Sequence, residues 1–124
     1  MVSHIDPERG QMEAFKALPQ GTPIQMLNLV RLRETAIYRD GRASSGWEAY
    51  QAYGRLSQPV LRRVGGEIVW RGSMEQMLIG PTEELWDHCF IAAYPDAGSF
   101  LAMLIDPAYP KALRHPQAAV AASR

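Results

Sequence analysis

A single cysteine, Cys89, in a chain of 124 residues excludes an internal disulfide, and no Cys/His cluster with metal-ligand spacing accompanies it. No metal site and no resident cofactor are therefore expected. Cys89 lies in an apolar run, where a buried, inert thiol is expected rather than a nucleophile. Neither charge sign dominates, since 13 basic residues balance 13 acidic ones. Without a basic stripe there is no electrostatic footprint for a phosphate backbone, so nucleic acid is not an expected partner. The apolar runs fall short of the roughly 20 residues that span a bilayer, which argues against a membrane. The opening MVSHIDPERG lacks the basic and apolar regions of a signal peptide, so a cytoplasmic, reducing location is expected. Phosphate-binding glycine loops, a nucleophile elbow and paired carboxylates are also missing. Gly65-Gly66 ends a helix and leads into a strand, the wrong order for a dinucleotide fingerprint.

What is present reads as one ordinary globular domain over residues 1–124, with 47% hydrophobic and 21% charged residues. Asp6-Pro7 predicts a helix start, and Met12, Phe15 and Leu18 give an amphipathic N-terminal helix over residues 7–19. Ile24 to Leu32 is a nearly continuous apolar run broken by Asn28, as suits a central strand. A polar loop follows over residues 33–46. Ser45 to Glu48 then forms a capping box for a helix that runs to Gly65-Gly66, with Pro59 expected to kink or interrupt it. Glu67 to Arg71 alternates as a strand, with a bulge expected at Gly72. Met77 to Ile79 and Trp86 to Tyr94 predict two extended stretches around the turn Thr82–Glu84. Pro95-Asp96 opens a further helix that Asp106-Pro107 stops. The alanine-rich remainder predicts a helical turn near Lys111–Leu113 and a short last edge strand.

This order, β-α-β-β-α with a last β, is the α+β, ferredoxin-like βαββαβ arrangement over residues 23–122: an antiparallel sheet with helices on one face. The first strand is apolar on both phases, Met26 and Val30 on one and Leu27 and Leu29 on the other. The second sheet face therefore needs a cover, and a second copy of the chain is the simplest one.

Met26-Leu27-Asn28-Leu29, Tyr50 and Tyr53, Gly65-Gly66, Trp70-Arg71-Gly72 and Trp86-Asp87 together resemble the family known as domain of unknown function 1330. Tyr94-Pro95, Phe100-Leu101-x-Met103, Asp106-Pro107-x-Tyr109 and His115 extend the resemblance over residues 23–122. Two features depart from it: Pro116 follows His115 where the family more often has Arg, and the family's last strand usually runs on beyond Ser123-Arg124. The resemblance implies a homodimeric α/β barrel and no particular reaction. Its wider superfamily includes cofactor-free monooxygenases, haem-degrading enzymes and muconolactone-type isomerases, so an enzyme of one of these kinds is the alternative to a small-ligand binding module.

Few residues are candidates for chemistry. An amide inside a buried strand costs a few kcal/mol if its hydrogen bonds go unmade. Asn28 is thus either tied to a core neighbour or holds a ligand. Asp87 and His88 are adjacent, and strand alternation sends them to opposite faces, so they cannot act as an acid–base pair. Each is a candidate alone, Asp87 against a salt-bridge role and His88 against a packed imidazole. Tyr50 and Tyr53 share a helix face, and Trp70 and Tyr94 come from the sheet; these aromatics wall either a core or a small organic ligand. Tyr109 and His115 fall in the late irregular segment, where chain folds over a pocket mouth; the plain alternative is a surface histidine beside Pro116. A haem-degrading site would draw on Asn28, Trp70 and either His88 or His115.

Overall fold

A computed structural model describes residues 2–124. Its elements run α1 (Arg9–Lys16), β1 (Ile24–Leu32), α2 (Gly46–Arg63), β2 (Glu67–Gly72), β3 (His88–Tyr94), α3 (Ala97–Leu104), α4 (Tyr109–Ala119) and β4 (Val120–Ser123). The four strands form one antiparallel sheet in the order β2-β3-β1-β4. That is the expected βαββαβ order, with β1 and β3 central and β2 and β4 at the edges.

The even positions of β1 and β3 face the helices. Ile24, Met26, Phe90, Ala92 and Tyr94 pack there with Val60, Leu61, Met103 and Tyr109. Val30 joins a second cluster with Ala49, Tyr50, Ala118 and Ala119. The alanines let α2 and α4 approach each other closely. On the opposite face, Trp86 from the loop before β3 covers Cys89, Ala122, Leu29 and Met74. Beyond that patch the face is bare: Leu27 is 59% and Trp70 48% exposed.

Local signals explain most boundaries, and several expectations need correction. The N-terminal helix begins at Arg9 rather than Pro7 and ends at Lys16, because Gln11 turns back to accept from the Glu8 amide (2.8 Å). α2 begins as expected, with Ser45 Oγ accepting from the Glu48 amide (3.0 Å). It then continues unbroken past Pro59, whose missing donor leaves the carbonyl of Arg55, an exposed residue, without its intrahelical partner. The helix stops where Gly65 takes φ +80°, and the Gly66 amide bonds back to the Leu61 carbonyl (2.9 Å).

The bulge of β2 lies at Val69, not at Gly72: Ile68 pairs with Ala92 and Trp70 with Ile91, so two steps on β2 match one on β3. Met77–Ile79 forms no strand; Leu78 and Ile79 are 83% and 89% exposed in a long connection between β2 and β3. The alanine-rich tail holds a full helix, α4, rather than one turn. Pro110 sits in its first turn, where no intrahelical donor is needed. Packing against α2 carries the helix past Pro116. Tyr109 and His115 accordingly lie on a helix and are buried, His115 with only 4% exposure.

Candidate functional site

Between the helix-facing side of the sheet and α2 lies a half-open cleft of about 1530 Å³. That exceeds the roughly 300–1,000 Å³ of an ordinary small-ligand pocket, because the cleft is open along one side and takes in the N-terminal segment as a rim. Its floor is Met26, Asn28, Ile68, Arg71, His88, Phe90 and Ala92; its roof is Trp47, Tyr50, Tyr53, Gly54 and Ser57 of α2; Tyr94, Met103 and Tyr109 close one end.

Register fixes the polar floor. Asn28 stands opposite Phe90, and Phe90 opposite Arg71, so the three form one row across β1, β3 and β2. His88, opposite Val30, lies one step along the same face. Arg71 reaches this face only through the Val69 bulge. Strict alternation from Ile68 would put Trp70 in the cleft and Arg71 on the other side; the bulge exchanges them. Trp70 instead lies over Gly72 on the bare face, where a Cβ on Gly72 would come within 2.6 Å of the indole.

Each polar group has spare capacity. Asn28 Nδ2 donates to the Met26 carbonyl (3.1 Å), while its Oδ1 accepts no hydrogen bond among the described residues. No side-chain polar atom there is buried without a partner, so solvent in the cleft reaches the Oδ1. Arg71 is exposed and makes no ion pair among the described residues. His88 packs edge-on against Trp47 and Tyr50, with ring centres 5.8 and 5.7 Å away, and tilted on Phe90 at 5.3 Å. Burial among these rings, reinforced by the Arg71 charge, lowers its pKa and keeps the imidazole neutral.

The tyrosines form the other half. Tyr53 and Tyr109 hydroxyls lie 2.9 Å apart. One phenol donates to the other, so one of the two hydrogens is left for a ligand. Burial raises the pKa of Tyr50, Tyr53 and Tyr109, and pushes Tyr94 up to about 12, so all four stay protonated donors. Tyr94 directs its hydroxyl to Met103 Sδ (3.8 Å).

Of the residues singled out from sequence, Asn28, His88, Tyr50, Tyr53, Tyr94 and Tyr109 share the cleft. Asp87, His115 and Trp70 do not line it. Asp87 is a backbone clamp: its Oδ2 accepts from the Leu32 amide (2.8 Å) just ahead of β3. His115 Nδ1 meets the Tyr38 hydroxyl at 2.6 Å and so ties the loop after β1 onto α4. Burial first, then Arg114, Arg42 and Arg55, lower its pKa. The Asn, Trp and His of a haem-degrading set are therefore not gathered in one place within the chain. Arg71, Trp47 and Phe90 escaped the sequence reading. Phe90 and Trp47 carried a signal in their spacing to His88 and Tyr50, whereas Arg71 carried none, because the bulge decides its side.

Comparison with known proteins agrees with this architecture. A crystal structure of the methylated RPA0582 protein superposes with a TM-score of 0.94 at 54% identity, covering 100% of this chain and 92% of that one. A second structure, described as the RPA0582 protein of unknown function from Rhodopseudomonas palustris, gives a TM-score of 0.92 at 52% identity, covering 99% of this chain and 93% of the other. No curated protein matches the chain. The family model for domain of unknown function (DUF1330) matches residues 45–123, the stretch that supplies the cleft's roof, β2, β3 and the closing tyrosines, and the chain belongs to that family.

Proposed function

We propose that the protein binds a small organic ligand in the cleft between the sheet and α2, and that it does so as a homodimer. The observation that carries the ligand reading is the row Asn28–Phe90–Arg71 with His88 beside it: three polar side chains with unused hydrogen-bonding capacity on an otherwise apolar and aromatic floor. A sheet face meant only for packing would carry apolar residues there, since each polar group so placed costs stability unless it meets a partner. Catalysis forms no part of this reading. The cleft gathers protonated phenols, a neutral imidazole and an amide, a set suited to holding a polar ligand.

The homodimer rests on the opposite face, where Leu27, Ile91 and Trp70 form an apolar area beside the Trp86 cluster. A second copy laid sheet to sheet would remove it from water. The lone, buried Cys89 suits the reducing cytoplasm in which we place the protein, and among the described residues no helix is long and apolar enough to cross a membrane.

Fragment titration followed by ¹⁵N and aromatic NMR tests the ligand reading: shifts should concentrate at Asn28, His88, Phe90 and Trp47. A panel of acidic, basic and neutral ring fragments that moves none of them would defeat it. Sedimentation of Leu27→Glu beside the unaltered protein tests the assembly. The expected result is a dimer converted to a folded monomer, and an unaltered protein that is monomeric at micromolar concentration overturns the proposal.

A further inference from the structure

One cation on the sheet floor of the cleft has no counter-charge beside it, and that specifies a ligand class. The cation is Arg71. No carboxylate pairs with it among the described residues, and the only charged group acting on His88 is Arg71 itself. The acidic residues that line the cleft lie elsewhere: Asp6 and Glu8 come from the N-terminal segment, and Glu67 is four residues down β2, roughly 13 Å away at strand rise. A cation beside aromatic walls, without its own counter-charge, is left for a ligand to neutralise.

Shape narrows the choice. A guanidinium offers parallel N–H donors that match the two oxygens of a carboxylate. Phe90 flanks Arg71 in the register, and Trp47 and Tyr50 of the roof pack on the neighbouring His88 ring, so the cleft offers ring faces and edges that favour a flat, unsaturated body. Asn28 stands two strands from Arg71, roughly 10 Å at strand spacing. One ring with polar groups at opposite ends fills that interval.

Resting on the reading of the cleft as a ligand site, we propose that its ligand is a planar aromatic carboxylate, with the carboxylate on Arg71 and a second polar substituent on Asn28. His88 hydrogen-bonds along the edge of the bound ring. The anion would also favour the protonated imidazole, so binding takes up protons and tightens as pH falls, with Arg71, Tyr50, Trp47 and Phe90 as the groups facing the ring.

The test uses the full chain and two probes of one shape, 4-hydroxybenzoate and its neutral isostere 4-hydroxybenzamide, titrated by NMR. The acid should bind at least about tenfold more tightly than the amide, as expected for a charge-assisted pair. Arg71→Gln should abolish that preference while the amide stays within about twofold. Arg71→Lys should restore part of it, and Arg62→Gln elsewhere in the cleft lining should leave it intact. Arg71 is exposed on an edge strand, and an unchanged thermal midpoint of Arg71→Gln confirms that the variant is folded. Equal binding of both probes in the cleft, insensitive to Arg71→Gln, overturns the carboxylate assignment and leaves the ligand site standing. Failure of both probes to shift any cleft resonance overturns the ligand class and counts against the site as well.

Discussion

Asn28 and Arg71, 43 positions apart in sequence, flank Phe90 on one face of the sheet and look toward α2. Their meeting depends on one extra residue in β2. Without the bulge at Val69 the floor of the cleft would be Asn28, Phe90 and Trp70, an apolar surface with a single amide.

Deleting Val69 should straighten β2 and exchange the two side chains. Trp70 should then show nuclear Overhauser contacts to Phe90 and His88, and any ligand response that depends on Arg71 should vanish while the chain remains folded. A deletion variant with Trp70 still against Gly72 would show that the face of Trp70 is set by something other than the register.

Asn28 trades stability for function in this reading. Asn28→Leu removes one hydrogen bond to the Met26 carbonyl, worth about 1 kcal/mol, and adds apolar burial beside Phe90. The variant should be as stable as the parent or more so in urea unfolding, and should lose affinity for cleft ligands. A loss of more than about 2 kcal/mol would instead make Asn28 a structural residue.

Two imidazoles set a pH dependence of stability. His88 and His115 both have pKa values below the ordinary 6.5, mainly through burial, so the unfolded chain binds more protons than the folded one below that value. Stability should be at its plateau above about pH 6.5 and should decline as pH falls below it, with at most about 1.4 kcal/mol per pH unit from each imidazole. Urea midpoints measured between about pH 8 and 5 check this. His115→Gln should flatten the slope, whereas Tyr38→Phe should lower stability by about 1 kcal/mol at neutral pH through loss of the 2.6 Å bond. A slope of the opposite sign would mean that either imidazole gains a proton on folding.

Gly46, the first residue of α2, has no room for a side chain, since a Cβ there would overlap the Arg33 carbonyl. Its amide also bonds the Glu34 carbonyl (3.1 Å), which closes the loop after β1 onto the helix start. Gly46→Ala should cost about 3 kcal/mol, seen as a lowered thermal midpoint. An unchanged midpoint would show that the loop gives way without cost.

The elements that local rules govern were legible before any coordinates. The apolar run of β1 has the same ends in the structure, Ser45 caps α2 through Glu48, and Asp96 caps α3 through the Ser99 amide (2.8 Å). The βαββαβ order followed from counting these elements. Where the reading failed, a local signal was overruled by distant packing. Pro59 read as a breaker, but α2 runs on through it to Arg63, and the tail that read as one helical turn forms the whole of α4 where it packs on α2. Leu78 and Ile79 look β-prone yet find no strand to pair with, and stay in solvent.

The sequence by itself determined the order of helices and strands along the chain and the apolar character of both faces of β1, because hydrophobic period and capping chemistry act within a few residues. Only the tertiary structure decided which side chains meet. The bulge that turns Arg71 inward and Trp70 outward is a mismatch between two strands, and it exists only where β2 meets β3. The burial of His115 and its bond to Tyr38 likewise come from α4 docking on α2 and on the loop after β1, a contact that no run of neighbouring residues encodes.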